Sequence, residues 1–133
     1  MPTDAQQVQY PEGMSQQIIE KYGPEIARLA AEIGVYKFHH IGLEVDEKHP
    51  QATYVPSTKC WVSPVENGVE TLCFEQNKHN NDWSRPHFCF AIDAIEPFIQ
   101  RGYPVTSQVN GPLGPATFTK VAGETVELLI PIS

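Results

Sequence analysis

Apolar side chains recur every three or four residues between positions 14 and 33, which is the spacing of one face of an amphipathic helix. They are Ile18, Ile19, Tyr22, Ile26, Leu29, Ala30 and Ile33. The pair Gly23-Pro24 interrupts this pattern, because proline is tolerated in the first turn of a helix and not in its interior. The pattern predicts an N-terminal helix over 14–34, with Gly34 as its C-terminal cap, built as one helix or as two that meet at Pro24.

The residues before the predicted helix and those after it predict different kinds of structure. Residues 1–13 are polar, contain two prolines and show no apolar period, which predicts a flexible tail. After the helix the apolar period shortens to two, which is typical of β-strands. Strands are expected in KFHHIGLEVD (37–46), TKCWVS (58–63), VETLCFEQ (69–76), PHFCFAID (86–93), ATFTKV (116–121) and TVELLIPI (125–132).

The strand pattern occurs twice along the chain. Residues 35–77 and 86–133 each begin with a strand that carries a histidine and end with a hairpin, and a polar loop over 77–86 joins them. The second half also predicts a short helix over 94–102. The first half shows no helical period after its first strand, so the N-terminal helix is expected to cover that side. These features predict an α+β domain whose helices pack on one face of the sheet.

Length, composition and charge limit the number of domains and the kinds of partner that the chain is expected to have. A chain of 133 residues that is 41% apolar and 19% charged is expected to form one domain, over 14–133. Nine Lys+Arg against sixteen Asp+Glu, with no basic run, argue against a nucleic-acid or membrane surface. Cys60, Cys73 and Cys89 form no CxxC pair, and no leader or membrane-spanning segment is visible. We expect a cytoplasmic protein that binds a small-molecule substrate and forms a homodimer.

Two histidines share the strand face that the predicted helices do not cover. Side chains alternate along a strand, so His40, Gly42 and Glu44 point away from the apolar residues of their segment. His87 does the same in its own segment. The uncovered face is therefore expected to collect His40 and His87, whereas His39 is expected to face the helices and to have a structural role.

Three motifs in this order resemble the vicinal oxygen chelate superfamily, which includes glyoxalase I, methylmalonyl-CoA epimerase, bleomycin resistance proteins and extradiol dioxygenases. The motifs are HHIGLEV (39–45), HFCFAIDAIE (87–96) and GETVELLIP (123–131). The resemblance implies a glyoxalase-like fold of two paired βαβββ modules. This chain departs from that pattern, because its first module lacks a helix and its N-terminal amphipathic helix is extra.

The resemblance also implies a divalent metal ion held by His40, His87 and Glu127. Two imidazoles and a carboxylate suit Zn, Co, Ni, Mn or Fe. The fourth ligand of the family aligns with Cys73, and Glu75 lies two residues farther along on the same predicted face. We expect Glu75 to be the fourth ligand, with Cys73, or no fourth ligand, as the alternatives.

The implied activity is that of a metal-dependent isomerase, epimerase or glyoxalase-like lyase, in which the cation chelates neighbouring substrate oxygens and stabilises an enolate. Glu127, which the resemblance implies, and Glu44 are the candidate catalytic residues. An acid on an inward face, as expected for Glu44, is unusual unless it titrates, pairs or meets solvent at the sheet edge. Without a fourth ligand, His40, His87 and Glu127 match the two-histidine, one-carboxylate pattern of Fe(II) oxygenases, so an extradiol-dioxygenase-like enzyme is one alternative. A metal-free small-molecule binding or resistance protein is the other.

Overall fold

The computed structural model describes residues 7–56, 58–75, 86–111 and 113–132. Residues 1–6 of the predicted tail and most of the predicted loop over 77–86 lie outside this part of the chain. The elements within it are α1 (Gln16–Ile33), β1 (Phe38–Glu44), β2 (Thr53–Val55), β3 (Cys60–Val62), β4 (Val69–Phe74), β5 (His87–Ala91), α2 (Glu96–Gln100), β6 (Ser107–Gly111), β7 (Gly114–Val121) and β8 (Glu124–Leu129).

All eight strands belong to one mixed sheet, in the order β2-β3-β4-β1-β5-β8-β7-β6. Strands β1 and β4 pair in parallel, as do β5 and β8, whereas the remaining neighbours are antiparallel. The first strand of each half therefore lies beside the last strand of the same half, and the β1–β5 pair joins the halves. The predicted α+β class, with a helix ahead of the sheet, is confirmed.

Helix α1 is continuous through Pro24, because that residue lies in its interior without ending it. Gly34 adopts a left-handed conformation with φ 74° and donates its N–H to the carbonyl oxygen of Ala30, as predicted for the cap. The apolar stripe of α1 is buried within the chain, where Ile26 and Leu29 belong to a core that also contains Phe90. Neither described helix is long and apolar enough to cross a membrane.

The segment ahead of α1 corrects the prediction of a flexible tail for residues 7–13. The N–H of Gln9 donates to the carbonyl of Tyr36 at 2.7 Å, and the N–H of Phe38 donates to the carbonyl of Gln9 at 3.0 Å. Val8 is buried, and the ring of Tyr10 packs edge-on against Phe38. The polar composition concealed this contact, because backbone groups rather than an apolar pattern dock the segment beside β1.

Helix α2 lies within the range predicted for it, and residues 45–52 between β1 and β2 contain no helix. Arg101, directly after α2, caps the C-terminus of α1. Its Nη1 donates to the carbonyl of Ile33 at 2.8 Å, and its Nη2 donates to the carbonyl of Glu32 at 3.1 Å. The last carbonyls of a helix lack partners within the helix, so the guanidinium joins α1 to the second half of the chain.

Candidate metal centre

Four ionisable side chains from the four central strands meet on the sheet face opposite the core that contains α1. They are Glu70 on β4, His40 on β1, His87 on β5 and Glu127 on β8. Their strand neighbours Ile41, Phe88 and Val126 belong to the core on the other face. The exposed fraction of the side chain is 0% for His40 and 3% for His87, against 10% for Glu127 and 13% for Glu70, so the two carboxylates are the more exposed members of the cluster.

Both imidazoles direct Nε2 at both carboxylates. His87 Nε2 lies 3.2 Å from Glu127 Oε1 and 3.4 Å from Glu70 Oε1. His40 Nε2 lies 3.5 Å from the same Glu127 oxygen and 3.8 Å from Glu70 Oε2. The donor atoms of His40, Glu70 and His87 all lie within 4.8 Å of one another, close enough to hold one metal ion.

The register of the two parallel strand pairs produces this convergence. In the first half Ile41 pairs with Val69, so His40 comes one residue before that pair and Glu70 one residue after it. In the second half Phe88 pairs with Val126, so His87 comes one residue before that pair and Glu127 one residue after it. Each half therefore contributes one histidine and one glutamate from equivalent positions, and the antiparallel β1–β5 pair brings the two sets together.

Gly42 makes room for the His87 ring. It pairs with Glu70 on one side and with His87 on the other. A β-carbon placed on Gly42 would lie within 2.7 Å of three atoms of the His87 imidazole, so any larger residue would displace the ring. The ring lies over the backbone of β1, on the side that leads toward Glu70. Glycine within a strand often marks such a close approach.

At the centre of the cluster, neighbouring opposite charges shift the pKa values of His87 and Glu127 more than burial does. Burial lowers the pKa of His87, but the nearby negative carboxylates of Glu127 and Glu70 raise that pKa to about 9. Burial raises the pKa of Glu127, but the nearby imidazoles of His40 and His87 lower that pKa to about 2. Without a cation, His87 therefore carries a proton at neutral pH and Glu127 is a carboxylate.

The structure places the predicted fourth ligand, Glu75, away from this cluster. It follows the end of β4, is exposed, and accepts a hydrogen bond from the Tyr54 hydroxyl at 2.5 Å. Five residues along a strand separate it from Glu70 by roughly 16 Å. Cys73, the first alternative, lies on the opposite strand face from Glu70 and contacts the carbonyl of Asp46 at 3.6 Å. Glu70 stands where Glu75 or Cys73 was expected.

The assignment of faces on β4 was wrong by one residue. The prediction put Cys73 and Glu75 on the face of the cluster, which would turn Leu72 and Phe74 toward the helices. Instead Leu72 and Phe74 form a separate cluster with Cys60 on the face that carries Glu70. A signal for Glu70 was present in the sequence, because Val69-Glu70 in the first half repeats the dipeptide at 126–127 in the second. The repeat fixes which face each glutamate takes.

Glu44, the candidate base, lies two residues beyond Gly42 on the same face of β1, as predicted. Its carboxylate is half-buried, with Oε1 shielded from solvent. It therefore shares the face of the cluster but is not one of the four residues that converge at its centre.

His39 does not simply alternate with His40. Phe38 pairs with Phe90, but His40 pairs with Cys89, so β1 contains one residue more than β5 at this point. This β-bulge makes His39 the extra residue and turns its ring toward that of His40, with centroids 5.1 Å apart. The expectation that His39 faces the helices is thereby corrected, since a bulge breaks the alternation from which faces are predicted.

A second group of possible metal donors consists of His39, His40 and Cys89, whose donor atoms also lie within 4.8 Å of one another. Cys89 is fully buried, and burial together with the charges of Glu127 and Glu70 raises the pKa of its thiol well above its usual range. The thiolate is the form that binds metals, so this group is a poorer cation site than the histidine-glutamate cluster.

Comparison with known proteins identifies a fold neighbour and no family. No family model matches the chain, and no curated protein does. Among solved structures, the chain is similar to hypothetical protein BH1468 from Bacillus halodurans C-125, with a TM-score of 0.56 and 19% identity. The match covers 73% of this chain and 95% of that chain. At this identity the similarity shows a shared fold.

Proposed function

We propose that this protein is a metal-dependent enzyme whose divalent cation is held by His40, Glu70, His87 and Glu127. The observation that carries the proposal is the separation of 3.2–3.8 Å between imidazole nitrogens and carboxylate oxygens in a buried cluster. Ligands about 2.1 Å from one metal ion and at 90–110° to each other lie about 3.0–3.4 Å apart, which is close to these separations. Most of the distances exceed an ordinary hydrogen bond, as expected of groups arranged around a common centre.

Charge supports the same assignment. Two carboxylates supply two negative charges to a site with little solvent, and two neutral imidazoles supply none. A divalent cation would balance that charge, whereas two buried carboxylates without one depend on a protonated histidine. The mixture of nitrogen and oxygen donors suits Zn, Co, Ni, Mn or Fe, and a hard cation such as Ca would favour oxygen donors alone.

We further propose the chemistry of an isomerase, an epimerase or a glyoxalase-like lyase acting on a small molecule with two neighbouring oxygens. When bound, the cation would supply Lewis acidity that stabilises the enolate left by removal of an α-proton. Glu127 would help to hold the cation, and Glu44, on the same face, is the candidate to receive the proton at its carboxylate. Glu70 and Glu127 are the more exposed members of the cluster, so a substrate would approach the cation from their side.

The strand order supports two equivalent modules of the vicinal oxygen chelate type, as the sequence motifs imply. In each half, the first strand pairs in parallel with the fourth, and the halves join through β1 and β5. Each half supplies one histidine and one glutamate in equivalent register. This symmetry favours a site shared between the modules.

The extradiol-dioxygenase-like alternative depended on the absence of a fourth ligand. Glu70 gives the cluster a second carboxylate, which favours four protein donors over the two-histidine, one-carboxylate pattern. The metal-free binding module gives no reason for two carboxylates to converge on two histidines, since bringing like charges together in a poorly solvated site is costly without a cation. No specific observation favours either alternative.

The proposed function is tested by metal content and by proton exchange. Protein prepared without chelators should contain about one divalent metal per chain, and in D₂O it should exchange the α-proton of at least one compound in a panel of 2-oxo acids, hydroxyketones and acyl thioesters. Glu127→Gln should lose both properties, whereas Glu124→Gln on the same strand should keep them. Failure of the parent to bind any divalent metal, or exchange in Glu127→Gln at the parent's rate, would refute the proposal.

A further inference from the structure

The imidazoles of His39 and His40 are in direct contact through equivalent atoms. Nδ1 of His39 lies 2.8 Å from Nδ1 of His40, an ordinary hydrogen-bond length, and the two rings are nearly perpendicular at 76°. Two ring nitrogens at this distance need one proton between them, so one donates and the other accepts. The contact exists because the β-bulge at His39 places neighbouring side chains on the same side of β1.

We infer that His39 is a positioning residue that fixes the tautomer and orientation of His40 for cation binding. This inference rests on the proposed function, since it concerns the same site. His40 is fully buried and directs Nε2 at the carboxylates of Glu127 and Glu70. A nitrogen that binds a cation offers a lone pair, so the proton of neutral His40 must lie on Nδ1.

The roles in the hydrogen bond then follow. His40 Nδ1–H donates, His39 Nδ1 accepts, and the proton of His39 lies on its Nε2. Histidines that bind metals commonly donate their second N–H to a carboxylate, a carbonyl or water, which holds the ring in place. In this chain the imidazole of His39 accepts that hydrogen bond.

His39 is half-buried and lines a cavity of about 470 Å³ together with Gln9, Tyr10 and Lys37. Gln9 and Tyr10 belong to the segment that docks beside β1. The N-terminal segment therefore forms one wall of the cavity beside His39.

The test compares two substitutions that preserve different properties of His39. In His39→Asn, the side-chain oxygen occupies nearly the position of Nδ1 and can accept the hydrogen bond. His39→Leu fills the space without an acceptor. The affinity for Zn²⁺, measured by competition with a chelator, should fall about 10- to 100-fold in His39→Leu and stay close to the parent's in His39→Asn. His49→Leu is the control, because His49 pairs with Glu66 in a loop.

The opposite order, with His39→Leu binding as tightly as the parent and His39→Asn binding weakly, would show that His39 only fills space. Equal affinity in all variants would also overturn the inference while leaving the metal site intact. A parent that binds no Zn²⁺ would refute the proposed function and the inference together. ¹⁵N NMR of the histidine rings in the Zn²⁺ form of the parent needs no variant. It should show a proton on Nδ1 of His40, and a proton on Nε2 of His40 would overturn the inference.

Discussion

The imidazole of His87 occupies the space that a β-carbon on Gly42 would fill. The two residues are paired across β1 and β5, so the ring cannot move away without leaving the line toward Glu70. A single methyl group added at position 42 would therefore keep the His87 ring out of the cluster.

Gly42→Ala should abolish tight metal binding while the protein remains folded, because the added methyl displaces the His87 ring and not the core on the other face. Metal titration together with circular dichroism checks this outcome. Gly111→Ala is the matched control, since a β-carbon there meets nothing closer than 4.0 Å. Parent-like affinity in Gly42→Ala would show that the position of the His87 ring does not matter for metal binding.

Glu70→Gln should weaken metal binding by one to several orders of magnitude, whereas Glu75→Gln should leave it unchanged. The first substitution removes a charged donor from the cluster, and the second alters an exposed carboxylate that contacts Tyr54. Isothermal titration with Zn²⁺ distinguishes them. If Glu75→Gln weakened binding and Glu70→Gln did not, the fourth ligand would be the one expected from the sequence.

The sequence predicted six of the eight described strands, the N-terminal helix and three of the four converging residues, because these depend on local apolar period and on the repeat. It missed β2 and β6, which lie in stretches that show no such period. It failed at Glu70 because β4 carries apolar residues on both faces, so alternation along β4 does not decide which face is which. The packing of Leu72 and Phe74 against Cys60 shows it in the structure, and the repeated Val-Glu dipeptide at 69–70 and 126–127 was the sequence signal for it. It failed at His39 because a β-bulge is a property of the pairing of β1 with β5. Alternation along one strand contains no information on either point.

The metal-free protein should lose stability as the pH rises from 6.5 to about 9. The pKa of His87 is raised from its ordinary value of 6.5 to about 9 in the folded protein. The charged imidazole therefore stabilises the fold fully below pH 6.5, and this contribution is lost as the pH rises to about 9. The lowered pKa of Glu127 has the opposite sign, so its contribution is present above pH 4.5 and is lost as the pH falls toward 2. Urea unfolding in the presence of a chelator should show a maximum between these limits.

The alkaline loss should be on the order of a few kcal/mol and should disappear in His87→Asn. His49→Asn, which changes a loop histidine, should retain it. An unfolding free energy that stays level from pH 6 to 10 in the metal-free parent would mean that His87 is not held in its charged form by the two carboxylates.

Arg101→Ala should lower the free energy of unfolding by about 1–3 kcal/mol, because two carbonyls at the C-terminus of α1 lose a charged donor. Arg28→Ala is the control, since Arg28 is exposed and pairs with Glu25 within the same helix. Its unfolding midpoint should match the parent's. Equal midpoints for all three proteins would show that the Arg101 cap contributes nothing to stability.

The most direct test of the metal centre is the position of the cation in a crystal of the full chain grown with Zn²⁺, located by anomalous scattering at the zinc edge. The account predicts one strong peak about 2.0–2.2 Å from Nε2 of His40 and of His87 and from a carboxylate oxygen of Glu70 and of Glu127. A fully occupied peak elsewhere, such as between His49 and Glu66, with none among these four residues, would contradict it.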